Sequence, residues 1–495
     1  MKRTRQRAWA TALAVLLFLL GTTLPSAARQ AAAPDFDAQA VRRQVADQVA
    51  SRGLVGLSLV IVKDGRTVLA EGFGARALQG GEPVTADTMF AIGSITKQFT
   101  AACVLLLAED GKLSVTDKVA KYYPGLTRAS DITLLDLMNH VSGYLDYYPL
   151  DFVDRPMIKP IEVDEVIRRY ATRQLEFEPG TRYSYSNTGF LILGRVVEKA
   201  SGEPFGAFLS RRILTPLGMT HTAYEPDPAS AGLAQGYMSF WLGEPETAAP
   251  EGKGWIAAAG ALYSTPKDLA IWDAALTGGE VLKEGSFKLM TTPRRMKDGG
   301  VSNYGCGLAI GQRGGVTVLS HSGAVNGFYA LNLVIPSTGS AVILFSNLSS
   351  YSDVNVVYNQ LAALILPKVE KSPTTAPAPK EKPRAPAAKP GIPAIAGPPA
   401  ADQVKAFVRA LQEGRVDRAS LGEEFNFFLK ESLIGPAGAR LKPYGEPEEA
   451  EVESIGERGG MEVSTTRLQF KSGVLKVLMY RTPDGKIQQI FIQKG

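Results

Sequence analysis

A chain of 495 residues is too long for one ordinary domain and ample for a large core. Its 45% hydrophobic and 21% charged residues exclude a disordered or fibrous chain and fit a globular one. The formal net charge of +5 falls to about +1 without residues 1–28, which carry four cations and no acid, so nothing in the charge points to nucleic acid.

The chain begins with Lys2, Arg3, Arg5 and Arg7, an apolar run Ala8–Leu20 too short to span a bilayer comfortably, and Ser26-Ala27-Ala28. This pattern predicts a secretory signal peptide over 1–28 and therefore an exported, periplasmic or secreted protein with no stable membrane span after cleavage. An uncleaved anchor is the other reading. Val41, Val45 and Val49 then recur at helical spacing up to Gly53. Val55–Val62 and Thr67–Phe73 read as strands joined by a turn at Asp64-Gly65.

Residues 85–225 read as mainly helical, with Gly, Pro and aromatic-rich loops at 122–125, 139–149 and 179–187. Helices are expected over 191–199 and 204–214 and after Pro266. Strands return at 304–312, 316–321, 328–336 and 341–347, and a helix follows over 353–366. The helical middle is thus an insertion between strands of one sheet, so 29–367 reads as one catalytic unit of mixed α/β (α+β) class. Residues 368–400 read as a linker, with nine prolines in 371–400 among Ala, Lys and Thr. Residues 401–495 read as a small α+β module, a helix at 402–413 on four antiparallel strands. The linker composition predicts no packed interface between the two, so 29–367 is expected to work alone.

Three stretches carry chemistry. The first is Phe90 to Thr100, which holds Ser94 and Lys97 three residues apart ahead of an apolar helical run. Positions i and i+3 share a helix face, so the Lys97 amine can reach the Ser94 hydroxyl. A helix N-terminus presents unpaired N–H groups that suit an oxyanion, and burial lowers a lysine's pKa until it can act as a base. A second S-x-x-K match at Ser264–Lys267 reads as an ordinary helix start with Pro266 in the first turn.

The second stretch is Tyr183 to Gly189, where Tyr185 and Asn187 present a phenol and a carboxamide two residues apart. Beside a lysine, Tyr185 is a candidate acid/base, held as phenolate or sharing a proton; otherwise both residues are turn and cap residues. The third is Leu319 to Ala324, at the end of a strand, with His321 and Gly323. Gly323 would let a substrate backbone lie against the strand, and a backbone N–H beyond it could complete an oxyanion hole. The alternative is a polar strand end. The three histidines and two cysteines are scattered without metal-ligand spacing, so neither metal nor cofactor is expected. Cys103 and Cys306 could pair in an exported protein, but read rather as two small buried hydrophobes.

Taken in order, S-x-x-K, Y-x-N about 90 residues on and H-x-G about 135 beyond it resemble the serine β-lactamase-related family. More narrowly they resemble its class C β-lactamase, D-alanyl-D-alanine carboxypeptidase and esterase branch. Leu137-Met138-Asn139-His140-Val141-Ser142-Gly143 resembles that family's L-x-N-H-x-S-G loop, and the likeness spans about 36–366. It implies a β-lactamase/transpeptidase-like fold, an antiparallel sheet flanked by helices. It implies Ser94 as nucleophile, Lys97 as its base and Tyr185 as acid/base. Asn187, His321 and Gly323 would meet substrate, and the N–H groups of Ser94 and Ala324 would form the oxyanion hole. Class C enzymes have lysine in a K-T-G where this chain has His321. Histidine there implies D-amino-acid peptides, possible cell-wall peptides among them, or small acyl esters as substrates. A true β-lactamase and a catalytically silent penicillin-binding sensor are the alternatives. A neutral His321 that titrates between about pH 5 and 8 is part of the same expectation.

Overall fold

The computed structural model describes residues 36–148, 155–367 and 392–495. The expected signal peptide lies outside the described residues, as do 368–391 of the expected linker. By its contacts Asp37–Gly495 forms one unit.

A six-stranded antiparallel sheet runs in the order Arg66–Gly74, Gly56–Lys63, Ser340–Ser346, Phe328–Ile335, Val316–Val325, Ala309–Arg313. The first hairpin closes at Asp64 and Gly65, whose φ of 49° and 72° match the twist of the flanking strands. Gly56–Lys63 then pairs with Ser340–Ser346, joining the two ends of the catalytic region through Leu57↔Ser346 to Val62↔Ala341. Phe328–Ile335 and Ser340–Ser346 are buried at every position, so both faces of the sheet are covered. Ala38–Arg52, capped by Asp37 and ended by left-handed Gly53, packs near Tyr351–Ala362. Between the sheet halves lie the helices Thr96–Glu109, Asn187–Ser201 and Pro266–Gly278. Thr96–Glu109 is buried from Thr96 to Leu107, which makes it the axis of the main core.

Several boundaries differ from expectation. The strand expected at 304–312 is confined to Ala309–Arg313, because Tyr304-Gly305-Cys306 turns back on Leu308 and Ala309. The strand expected at 316–321 runs on to Val325. Ser264–Lys267 is the helix start expected of it, with Thr265 as N-cap on Asp268 N and Pro266 in the first turn. Cys103 and Cys306 are buried and unbridged.

The C-terminal module is a four-stranded meander, Glu449–Arg458, Met461–Phe470, Gly473–Arg481 and Ile487–Lys494, under Ala400–Gln412. Glu431–Leu441 is an unexpected second long helix. Gly435 and Pro436 argue against it in sequence, but Ile434, Ala437 and Leu441 are buried in the module core.

The expectation of no packed interface is not met. Phe240 and Trp241 of the catalytic region sit inside the module's core, with Trp241 fully buried and its indole N–H donating to Ile490 O at 2.8 Å. Arg440 returns the contact, donating to the carbonyls of Phe240 and Trp241. Burying a tryptophan from one part in the core of another is a hydrophobic anchor that composition alone does not reveal.

Candidate active site

Ser94 lies in a 3₁₀ turn, Gly93–Ile95, directly before the helix Thr96–Glu109. The turn is pressed against the strand Val316–Val325. Gly93 has a φ of +50°, and a Cβ there would stand 2.8 Å from Ala324 N. A Cβ on Gly323 would run into the Ile92 carbonyl and come within 3.0 Å of Ser94 N. Gly323 therefore has a role within the chain itself, besides the expected cradling of substrate. It lets the strand and the serine turn touch, and so brings the backbones of Ser94 and Ala324 side by side.

Lys97, one turn on, is completely buried. Its amine reaches Ser94 Oγ at 3.0 Å, Asn187 Oδ1 at 2.7 Å and the Ala259 carbonyl at 2.8 Å. Burial holds its pKa well below the usual lysine range, opposed by the Asp146 carboxylate and assisted by Arg458. A neutral amine has two N–H groups and one lone pair. The two carbonyl-type oxygens take the N–H groups, which leaves the lone pair for the Ser94 hydroxyl proton.

Asn187 is the first residue of the helix Asn187–Ser201. It accepts from Lys97, while its own amide donates to Asp146 Oδ1 at 2.9 Å and its backbone N–H to the same oxygen at 3.1 Å. Tyr185 lies beside it, with Lys97 Nζ 4.8 Å from the ring centroid. Burial pushes its phenol well above the ordinary tyrosine range, while a hydrogen bond with Ser94 pulls the other way. The phenolate form expected as one possibility is thus disfavoured, and Tyr185 is a neutral phenol in contact with the nucleophile.

His140 carries φ 58° and supports this loop from beneath. Its Nδ1 accepts from Ser186 N at 3.1 Å, its carbonyl from Ser184 N at 2.9 Å, and its ring packs 4.3 Å from that of Tyr185.

His321 lines the cavity, but its nitrogens face protein. Nδ1 lies 2.5 Å from Ser322 O and Nε2 lies 2.7 Å from the Tyr304 hydroxyl. The arrangement suits Nδ1–H donating to the carbonyl and Nε2 accepting from the phenol. Burial is the main cause that lowers its pKa to about 3. The expected titration between pH 5 and 8 is corrected: His321 is neutral throughout that range.

Together these groups open onto a cavity of about 330 Å³ walled by Ser94, Tyr148, Tyr185, His321, Ala324 and Arg458. That size suits a small molecule or a short peptide end. Among the described residues no group of three or more His, Cys, Asp or Glu is gathered as a metal site.

The beta-lactamase family profile matches residues 41–366, two thirds of the chain. The chain belongs to the beta-lactamase family. It is a serine hydrolase of that family, and its relatives share the type. It is 27% identical over 329 residues to a putative penicillin-binding protein PbpX of Bacillus subtilis, covering 65% of this chain and 78% of that one. It is 30% identical over 276 residues to a D-aminopeptidase of Brucella anthropi, covering 54% of this chain and 52% of that one. The chain thus spans about half the length of that D-aminopeptidase. Among solved structures it is similar to a D-amino acid amidase from Ochrobactrum anthropi complexed with D-phenylalanine. That match has a TM-score of 0.60 and 25% identity, over 67% of this chain and 99% of that one. An octameric penicillin-binding protein homologue from Pyrococcus abyssi shares the fold over 93% of this chain at TM-score 0.61 and 21% identity.

Within this beta-lactamase-family site, sequence reasoning missed Asp146, Tyr304 and Arg458. Asp146 is marked only by the aromatic run Tyr144–Tyr148, and a lone aspartate there has no spacing to give it away. Arg458 belongs to Glu457-Arg458-Gly459-Gly460, which reads as an ordinary solvated hairpin tip.

Proposed function

We propose that the protein hydrolyses D-amino-acid amides and short peptides, or small acyl esters, through an acyl-enzyme on Ser94. The observation that carries the reading is the wholly buried Lys97 amine, 3.0 Å from Ser94 Oγ, with the Asn187 Oδ1 and Ala259 carbonyl oxygens as its other two partners. Ser94 Oγ attacks the carbonyl carbon as its proton passes to Lys97 Nζ. The oxyanion forms beside the backbone N–H groups of Ser94 and Ala324. The tetrahedral species collapses with cleavage of the C–N or C–O bond. The departing amine or alkoxide takes the proton back from Lys97 through the Tyr185 hydroxyl, which gives one proton and receives one. Water then attacks the ester carbon and yields its proton along the same path. Ser94 Oγ leaves and is reprotonated by Lys97, and the acid product departs.

Asn187 orients Lys97 from behind the cavity wall, its side chain engaged with Lys97 and Asp146. The neutral, internally bonded His321 supplies no fixed cation for a β-lactam carboxylate, which favours amides and esters over cephalosporins. The similarity to D-aminopeptidase and D-amino acid amidase supports the D-series. Export is part of the proposal and rests on the pattern of residues 1–28.

A panel of D- and L-phenylalanine amide, p-nitrophenyl acetate and nitrocefin, with wild type and Ser94→Ala, tests this. The expected result is turnover of the D-amide or the ester above that of nitrocefin, lost in Ser94→Ala. Dominant nitrocefin hydrolysis would make the protein a β-lactamase. Stable labelling without turnover would make it a sensor.

A further inference from the structure

The hairpin between Glu449–Arg458 and Met461–Phe470 reaches out of the C-terminal module and into the wall of the catalytic cavity. Glu457 and Arg458 line it together with Ser94 and Tyr185. Arg458 donates to Tyr148 O at 3.1 Å. The same carbonyl lies 3.4 Å from Asn187 Nδ2. Arg458 Nε faces Asp146 Oδ2 at 3.7 Å, and the Asp146 side chain is 1% exposed. That oxygen makes no hydrogen bond, whereas its twin holds both N–H groups of Asn187. A buried carboxylate with one oxygen lacking a hydrogen bond is costly unless a cation stands beside it. The cation here comes from a residue more than three hundred positions along the chain, on a different structural part.

We propose that Arg458 is a positioning residue of the hydrolase, through which the C-terminal module balances Asp146 and holds the Asp146–Asn187–Lys97 chain in register on Ser94. The proposal rests on the reading of Ser94 and Lys97 given above. Without Arg458 the Asp146 charge is uncompensated. Lys97, two links away, is then drawn toward the ammonium form, which has no lone pair for the serine proton. The other ionisable groups facing Lys97 are Tyr185 and His140 beneath it and His321 on the strand. Glu176 lies further out beside Glu457, with its carboxyl raised to about 7 by burial. His140 and His321 are both held neutral by burial, so neither replaces the lost cation. The module is therefore part of the catalytic site, and separating it from 29–367 would remove a working residue.

The test uses the full chain with p-nitrophenyl acetate and D-alanine p-nitroanilide, following kcat and kcat/KM from pH 5 to 10. The variants are Arg458→Gln, Arg458→Lys, Asp146→Asn and the double variant Arg458→Gln/Asp146→Asn, each checked for native melting. Arg458→Gln is expected to lower kcat by about tenfold or more and move the acidic limb of the profile to higher pH, with KM little changed. Arg458→Lys should restore part of both. Adding Asp146→Asn to Arg458→Gln should move the limb back down, because it removes the charge that Arg458 balances. A wild-type limb in folded Arg458→Gln, or a double variant whose limb stays where Arg458→Gln puts it, would overturn the proposal. Ser94→Ala separates the two levels. If it remains active, the Ser94 reading itself fails. If it is dead while Arg458→Gln behaves as wild type, only the role of Arg458 falls.

Discussion

The serine turn and the hairpin tip at Glu457–Arg458 meet in one cavity, yet they differ in how they come to be there. Ser94 and Lys97 are three residues apart, and helical geometry alone puts amine and hydroxyl within reach. Arg458 has no local reason to face an active site. It arrives because Trp241 is buried in the module's core and Arg440 grips the carbonyls behind it. The first half of the site is a local motif, and the second is a consequence of docking. Perturbations aimed at the first should strike chemistry directly, and perturbations aimed at the second should act through position.

The largest expected effect follows from Lys97→Met, which keeps the volume and removes the base. Turnover should fall by about 10²–10⁴-fold. Asn187 Oδ1 and the Ala259 carbonyl also lose a donor, so melting should drop by the equivalent of about 1–3 kcal/mol. A folded Lys97→Met that turns over normally would remove lysine from the mechanism.

Gly323→Ala comes next. Its Cβ would press on the Ile92 carbonyl, and backbone cannot yield as a flexible side chain does. The strand and the serine turn must part, and misplacement on the order of 1 Å costs about 10² in rate. Steady-state kinetics on p-nitrophenyl acetate would show it, with unchanged rates contradicting the role given to this glycine.

Trp241→Ala addresses the docking side. Emptying a fully buried indole site should destabilise the protein by about 3–5 kcal/mol, seen in calorimetry and in faster proteolysis between the catalytic region and the module. Activity should fall less than for Lys97→Met, because the local motif survives. Loss of stability with full activity in a detached catalytic region would show that the module contributes nothing to the site.

The smallest effect on activity concerns His321. Its pKa is about 3 in the fold, against an ordinary value of about 6.5 unfolded. Between those values the unfolded chain binds more protons, so this histidine's contribution to stability rises with pH and is lost as pH falls from about 6.5 toward 3. His321→Gln should therefore gain on the wild type in melting temperature between pH 7 and 4. Its rate profile between pH 5 and 8 should keep the wild-type shape, and an inflection lost in the variant would contradict the buried, neutral imidazole.

Much of the fold was legible because its signals are local. The valine spacing of the first helix, the Asp64-Gly65 turn and the alternating strands of the module all sit within a few residues of what they specify. Glu431–Leu441 was not legible, since burial of Ile434, Ala437 and Leu441 overrides the poor helix propensity of Gly435 and Pro436. Ser94, Lys97, Tyr185 and Asn187 stand together as the motifs implied. The contact of Gly323 with the serine turn was not legible, because its partner is the chain itself and no spacing predicts it. The titration of His321 was misread, and the choice between the two forms of Tyr185 left open, for a related reason: both depend on burial, which only the assembled core supplies.

Intact-protein mass spectrometry on rapidly quenched mixtures with an activated D-alanine ester tests the central claim most directly. The account predicts one D-alanyl adduct, mapped to Ser94 by peptide digestion, that decays as product forms and never appears in Ser94→Ala. An adduct that survives Ser94→Ala, or turnover of the ester by that variant at the wild-type rate, would contradict it.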